Sequence, residues 1–252
     1  MLRTLATEYL QASQEMGGGR RVVDLVGRRL ESLVQGRKTR EVVDLCSGSG
    51  GLTPAVARRL AARGEPVRVT LTDLFPDAGA EARLSSDERE WVRVHPEPVD
   101  ARAVPAELAG VRTLFIGFHH FPPAEARAIV ADAVRAGEPL FVFEGTERRL
   151  AALLPFALFC PWLVLALTPF IRPFRASRLL FTYLVPIVPA IVWWDGVVSH
   201  LRSYTCGELL ELARGTASDW RWEARRERIP GTPVHATSLL GLPPATQEPR
   251  CP

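Results

Sequence analysis

Ten residues constrain this chain more than any others: Val42-Val43-Asp44-Leu45-Cys46-Ser47-Gly48-Ser49-Gly50-Gly51. An apolar run ends in an acid, and a glycine-rich turn of small residues follows. Leu52 to Leu60 then reads as a helix opening, with Thr53 suited to the N-cap and Pro54 to the first helical position. Strand, glycine turn and helix N-terminus in that order predict an open α/β sheet that holds a nucleotide-like ligand at the turn. Glycine suits the turn because it takes positive φ and lets the backbone come close to a ligand.

The chain on either side agrees with that prediction. Strands are expected at residues 41–45, 67–72, 92–95, 113–118 and 140–143, with helices at 54–63 and 123–136. Gly64 and Gly137 are placed to end those helices. Near-continuous apolar strands alternating with helices predict a buried parallel sheet. Thr205-x-x-Glu208 is a capping box opening a helix through residue 214. Residues 220–228 and 234–241 read as the last two strands, the first alternating like an antiparallel edge. Upstream, Leu2, Leu5, Tyr9 and Leu10 predict a short amphipathic helix over residues 1–16, broken by Gly17-Gly18-Gly19. Val22, Val23, Leu25, Val26, Leu30 and Leu33 mark a second helix, which either covers the ligand edge or simply packs.

Three acids fall at successive strand ends: Asp44, Asp73 and Asp100. Asp73 lies about 20–30 residues past the glycine turn, where an open α/β sheet places the carboxylate for ribose hydroxyls. One carboxylate accepts from two vicinal hydroxyls at once. Asp100 suits an exocyclic amine or the capping of a loop turn. His119-His120 ends the fourth strand, as a base or as a cap on the helix that Pro122-Pro123 begins, and Glu144 ends the fifth.

Asp44-x-x-x-Gly48-x-Gly50, Asp73 and Asp100-Ala101, with His119-His120-Phe121 ahead of a helix and Phe141-Val142-Phe143-Glu144, together resemble the class I S-adenosylmethionine-dependent methyltransferases. The resemblance covers residues 40–147 and, loosely, the chain from 200. It implies a Rossmann-like, seven-stranded, mostly parallel sheet with helices on both faces, S-adenosyl-L-methionine as cofactor, and methyltransferase activity. By the same likeness Cys46, Ser47, Gly48 and Gly50 would line the methionine part. Asp44 would act near its amine, directly or through water. Asp73 with Leu74 would hold the ribose, and Asp100 with Ala101 would flank the adenine. The family often has Gly where Cys46 stands. The absence of an Asn-Pro-Pro-Tyr type motif after strand four argues against the branch that methylates nucleic-acid amines. The segment from 193 to 204 resembles that of bacterial methyltransferase-like proteins, implying a bacterial branch with an apolar insertion after strand five.

That insertion is a sharp change of composition. Residues 150–171 carry no charge, Arg172, Arg175 and Arg178 cluster, and a second uncharged run covers 179–194 with Tyr183, Trp193 and Trp194. The first run reaches the ~20 residues that a helix needs to cross a bilayer. Pro155, Pro161, Pro169, Pro186 and Pro189 make continuous helices awkward. Three readings stay open: a spanning hairpin; a broken hairpin dipping into one leaflet, with arginines snorkelling and aromatics at the interface; or a folded substrate lid or homodimer contact. The expected division is an N-terminal helical segment (1–39), a Rossmann-like domain (40–148 with 197–242), the insertion (149–196) and a disordered Pro-rich tail (243–252).

A net charge of +3 over 252 residues gives no argument for nucleic acid as partner. Cys46, Cys160, Cys206 and Cys251 form no CxxC pair and no zinc spacing, which predicts reduced thiols, no metal and a cytoplasmic setting. The first residues lack the apolar core of a signal peptide. Methyl transfer from a sulfonium is an in-line displacement, so alignment and a dry pocket carry much of the rate. A base helps when the acceptor bears a proton, and His119 or His120 stands where one is needed. Glu144, Tyr183, Asp195, His200, Arg202 and Tyr204 are further candidates, with Asp195, Arg202 and Tyr204 able to knot together under the insertion. The reading is a methyltransferase acting on oxygen, nitrogen or carbon of a small lipophilic or membrane-associated acceptor, at the inner face of a membrane. The rival is a non-catalytic cofactor-binding module that docks on a membrane or partner through the insertion. A nicotinamide oxidoreductase fits less well, because the turn is not G-x-G-x-x-G.

Overall fold

In the computed structural model of the chain, described over residues 19–35, 40–48, 50–77, 79–171 and 174–244, seven strands form one sheet in the order β3-β2-β1-β4-β5-β7-β6. The strands are β1 (Glu41–Asp44), β2 (Arg68–Leu71), β3 (Val92–Val94), β4 (Val111–Phe115), β5 (Leu140–Glu144), β6 (Arg221–Arg228) and β7 (His235–Leu242). The first five pair in parallel, and β7 runs antiparallel between β5 and the edge strand β6. Helices α1 (Gly19–Val34), α2 (Thr53–Ala61), α3 (Ala80–Arg83), α4 (Ser86–Arg89), α5 (Pro123–Ala136) and α9 (Cys206–Arg214) surround it. The helix expected over residues 1–16 and the tail 245–252 lie outside the described residues.

Strand side chains alternate between two cores. Val42, Phe141 and Phe143 enter the one shared with Leu30 of α1 and Leu60 of α2. Val43, Leu140 and Val142 enter the other, with Ile129 of α5 and Leu209 of α9. Burial on both faces is why these strands read as continuous apolar runs. Leu30, fully buried, is a site where truncation to Ala costs about 2–5 kcal/mol.

Local signals held at two helix ends. Gly137 closes α5 at φ 68°, and Thr205 with Glu208 forms the reciprocal capping box of α9. Thr53 is a correction. It lies inside α2, the N-cap is Leu52 with no side-chain cap, and the Thr53 hydroxyl donates to Asp44 Oδ2 at 2.8 Å instead. The charge-assisted bond to a buried carboxylate outcompetes a solvent-side cap.

The insertion is a helical hairpin. Helix α6 (Leu150–Leu167) runs unbroken through Pro155 and Pro161, ends in a 3-10 turn (Thr168–Phe170), and returns through α7 (Ala176–Leu179), a π-helical turn (Leu180–Leu184) and α8 (Ile187–Arg202). The expected break at the helix prolines is therefore absent. Proline removes the N–H that would bond the carbonyl four residues back. For Pro161 that carbonyl is Ala157 O, and the Trp193 indole Nε1 donates to it at 2.8 Å. For Pro169 it is Leu165 O, and the Tyr183 hydroxyl donates to it at 2.5 Å. Gly196 permits the close crossing, since a Cβ there would lie 2.0 Å from the Phe156 ring. The hairpin core is small: Cys160, Val164, Ile171 and Val188.

Candidate active site

The strand order reverses between β1 and β4, and the loops after these two strands flank the crevice that such a reversal opens. Both loops begin with a non-glycine residue in the left-handed region, Cys46 at φ 57° and Ile116 at φ 54°. For a β-branched residue that conformation is strained, and strain of this kind gathers at functional sites.

Asp44 ties the first loop together. Its carboxylate is 2% exposed. Ser47 and Thr53 hydroxyls donate to Oδ2, each at 2.8 Å, and the Thr113 hydroxyl of β4 donates to Oδ1 at 2.6 Å. Burial raises its pKa to about 6, against the lowering effect of the three hydroxyls. The acid expected beside a methionine amine is thus surrounded by side-chain donors, and it braces the turn from beneath. Thr113 carried no signal in the sequence, since a strand Thr looks the same whether or not an acid lies opposite.

Asp73 faces the glycine turn. Gly48 N donates to its Oδ2 at 2.7 Å and Phe75 N to its Oδ1 at 2.8 Å. Leu74, 43% exposed, stands next to it. Asp100 is chelated by Arg102, whose Nε and Nη2 donate at 2.9 and 2.7 Å, and these bonds hold its pKa below the ordinary carboxylate value. Ala101, next to it, is 4% exposed and packs with Leu114 and Phe118. Cys46, in the glycine turn, is half-buried. Burial pushes its thiol up to about 12, with Asp73, Asp44 and Asp100 each adding to the rise.

At the second loop, Glu144 of β5 is 3% exposed and gathers the Phe118–His120 turn. The backbone N–H groups of Gly117, Phe118 and His119 donate to its Oε1 at 3.1, 2.6 and 3.2 Å. Its Oε2 lies 2.8 Å from His119 Nδ1. A carboxylate at Nδ1 assigns the proton to that nitrogen and leaves Nε2 as the basic one. His120 stands at the rim, its ring 4.2 Å from that of His119. Partial desolvation, then the charge of His119, lowers its pKa, while Asp195 raises it and Arg202 lowers it further.

Asp195 and Arg202 belong to α8, which packs on this turn. The expected knot is not formed: among the described residues no hydrogen bond joins Asp195, Arg202 and Tyr204. The Tyr204 hydroxyl donates to Phe121 O at 2.6 Å instead. His200 Nδ1 lies 2.9 Å from Glu147 O, below the hairpin, and Tyr183 serves the backbone of α6. An open cleft of about 1140 Å³ lies on the far side of the glycine turn, between α1, α2 and α4. Gly50 and Gly51 touch its edge, but none of the three acids lines it, and the chemistry belongs to the crevice at the strand ends.

Residues 42–139 match the family of methyltransferase domains. The non-reducing polyketide synthase pks11 of Talaromyces marneffei is 27% identical over 143 residues, which make up 55% of this chain and 6% of that protein. Human N-acetylserotonin methyltransferase, solved in complex with S-adenosylmethionine, superposes with a TM-score of 0.53 at 12% identity, over 97% of this chain and 57% of its own. The CMeT domain of the citrinin polyketide synthase gives a TM-score of 0.53 at 13% identity, over 87% of this chain and 52% of that one. This chain therefore spans little more than half of those structures and a small fraction of the synthase. The sheet order and the domain match over residues 42–139 give this chain a methyltransferase-like fold. One of those structures holds S-adenosylmethionine, the cofactor that the sequence resemblance implies for this chain.

The residues fit that cofactor. A Cβ at Gly48 would meet nothing within 4 Å, so the turn opens onto free space. Each Asp73 oxygen accepts one backbone N–H and keeps a lone pair for a ribose hydroxyl.

Proposed function

We propose that the protein methylates an oxygen of a small lipophilic acceptor, with His119 as the base, at the cytoplasmic face of a membrane. S-adenosylmethionine, when bound, supplies an electrophilic methyl group. Gly48, Gly50 and Asp73 would hold it, while Asp44 keeps the turn in shape. His119 takes the acceptor's proton at Nε2, and Glu144 fixes its tautomer and steadies the imidazolium that forms. The observation that carries this reading is the His119–Glu144 pair, buried at the tips of adjacent strands, with α8 packed on its turn. Burial of the pair keeps water from the base, and the apolar hairpin that continues from α8 favours an apolar acceptor. Of the two structures compared above, one is a methyltransferase for N-acetylserotonin and the other a domain of a polyketide synthase, and both agree with small acceptors.

The test uses tritiated-methyl S-adenosylmethionine with a panel of alkylphenols and a membrane lipid extract. Label should pass to the organic phase with wild type and not with His119→Ala, while calorimetry finds cofactor affinity unchanged in the variant. Cofactor binding without S-adenosylhomocysteine formation on any acceptor would favour the rival reading, a non-catalytic binding module.

A further inference from the structure

We infer that the hairpin from Leu150 to Trp194 embeds in a bilayer of anionic lipids, entering and leaving on the same side. This deepens the lipophilic-acceptor reading by naming the partner that covers the hairpin. It rests on that reading only for why a methyltransferase would sit there.

Four observations carry it. First, Leu150–Phe170 is a 21-residue stretch of mean hydropathy 2.3 with only 11% of its most apolar window buried. It is apolar around its whole circumference, and only Cys160 and Val164 of α6 are buried. Leu154, Leu158, Phe159, Trp162 and Leu163 are all more than half exposed. A partner subunit covers one face of a helix, whereas a helix apolar on every face suits a protein core or lipid.

Second, two carbonyls freed by prolines are satisfied from within. The carbonyls freed by Pro161 and Pro169 take the Trp193 indole and the Tyr183 hydroxyl as donors. In water no such donor is needed. In hydrocarbon a proline in a helix is tolerated because neighbouring groups re-satisfy the freed carbonyl.

Third, the charge has one sign. Residues 148–194 contain no Asp or Glu, and every charge in them is arginine. Arg149 precedes the apolar run and Arg175 lies beyond it, while Arg148 is paired with Glu208. Basic groups flanking apolar surface complement anionic headgroups.

Fourth, both ends are pinned at one place. Thr146 Oγ1 lies 2.6 Å from Ser203 Oγ, and His200 Nδ1 lies 2.9 Å from Glu147 O. The return limb also bends by 77° between Leu184 and Ile187. The chain therefore comes back to its side of entry, and the end of α8 that packs on the His119–His120 turn sits at the lipid boundary.

Flotation of the full chain with vesicles of phosphatidylcholine and phosphatidylglycerol tests the inference. Wild type should float, with binding at least tenfold weaker on pure phosphatidylcholine. The double variant Leu158→Asp/Trp162→Asp should remain at the bottom, while its unfolding midpoint and its calorimetric affinity for S-adenosylmethionine stay at wild-type values. Cofactor affinity reports the methyltransferase reading separately, so either can fail without the other. Wild type that stays monodisperse in detergent-free buffer and does not float overturns the bilayer contact. So does a stable vesicle-free dimer that the same double substitution dissociates.

Discussion

His119 Nδ1 lies 2.8 Å from Glu144 Oε2, across the tips of two neighbouring parallel strands, with both side chains 4% exposed. The same carboxylate collects three backbone N–H groups of the turn that carries the histidine, so one residue sets both the loop and the tautomer. Replacing His119 by Ala should lower the single-turnover rate by about 10²–10⁴-fold, the usual contribution of a positioned base. Cofactor affinity should change by less than about threefold, since His119 belongs to the other loop. Rapid quench and calorimetry on the same preparation check both. A matched loss of rate and affinity would instead indicate a collapsed crevice.

Asp73 links the glycine turn to the expected ribose position through its bond from Gly48 N. Asp73→Ala removes two hydrogen-bonded acceptor positions from the ligand and one brace from the turn. Such charge-assisted bonds are each worth about 1.5–3 kcal/mol, so affinity for S-adenosylmethionine should fall at least tenfold. Calorimetry at fixed salt measures it. Unaltered affinity would remove Asp73 from the binding site.

Cys46 occupies a left-handed conformation that glycine adopts without strain. Cys46→Gly should fold with stability within about 1 kcal/mol of wild type. Cys46→Val should cost about 1–3 kcal/mol, because a β-branched side chain is poorly tolerated there. Urea unfolding compares the three proteins. Its thiol, raised to about 12 chiefly by burial, should also alkylate slowly with iodoacetamide at pH 8.

Asp44 ionises near pH 6 in the folded protein, against 3.8 as its reference value. Between those values the folded state holds the extra proton. Stability relative to Asp44→Asn should therefore decline as pH rises from about 4 to 6, by about 3 kcal/mol, and level off above. The variant also loses acceptor capacity for three hydroxyls, but that cost does not change with pH. Paired urea titrations at pH 4, 5, 6 and 7 give the difference, and a gap that widens in the opposite direction would refute the buried-acid account.

Much of this architecture was legible in the chain. The β1 turn, the ends of α5 and α9 and the five parallel strands appeared as expected, with boundaries shifted by a few residues. These features rest on backbone preferences acting over a handful of neighbours. Where a residue had two competing partners, local reasoning chose the nearer one. Thr53 was expected to cap α2, yet it donates to Asp44. Pro155 and Pro161 were expected to interrupt α6, yet the helix continues, and the carbonyl that Pro161 frees finds a donor on the return limb.

By itself the sequence determined that a parallel sheet would form, that a glycine turn would open at its first strand, and that acids and histidines would stand at strand tips. Glycine conformations, caps and alternating burial are short-range properties, so they are written in consecutive residues. Only the tertiary structure decided the partners: Thr113 for Asp44, 69 residues away, Glu144 for His119, 25 away, and Trp193 for the carbonyl of Ala157, 36 away. Those pairings form because an unpaired polar group inside a protein costs more than ordering the chain around its partner, and which donor arrives is settled by how the layers pack.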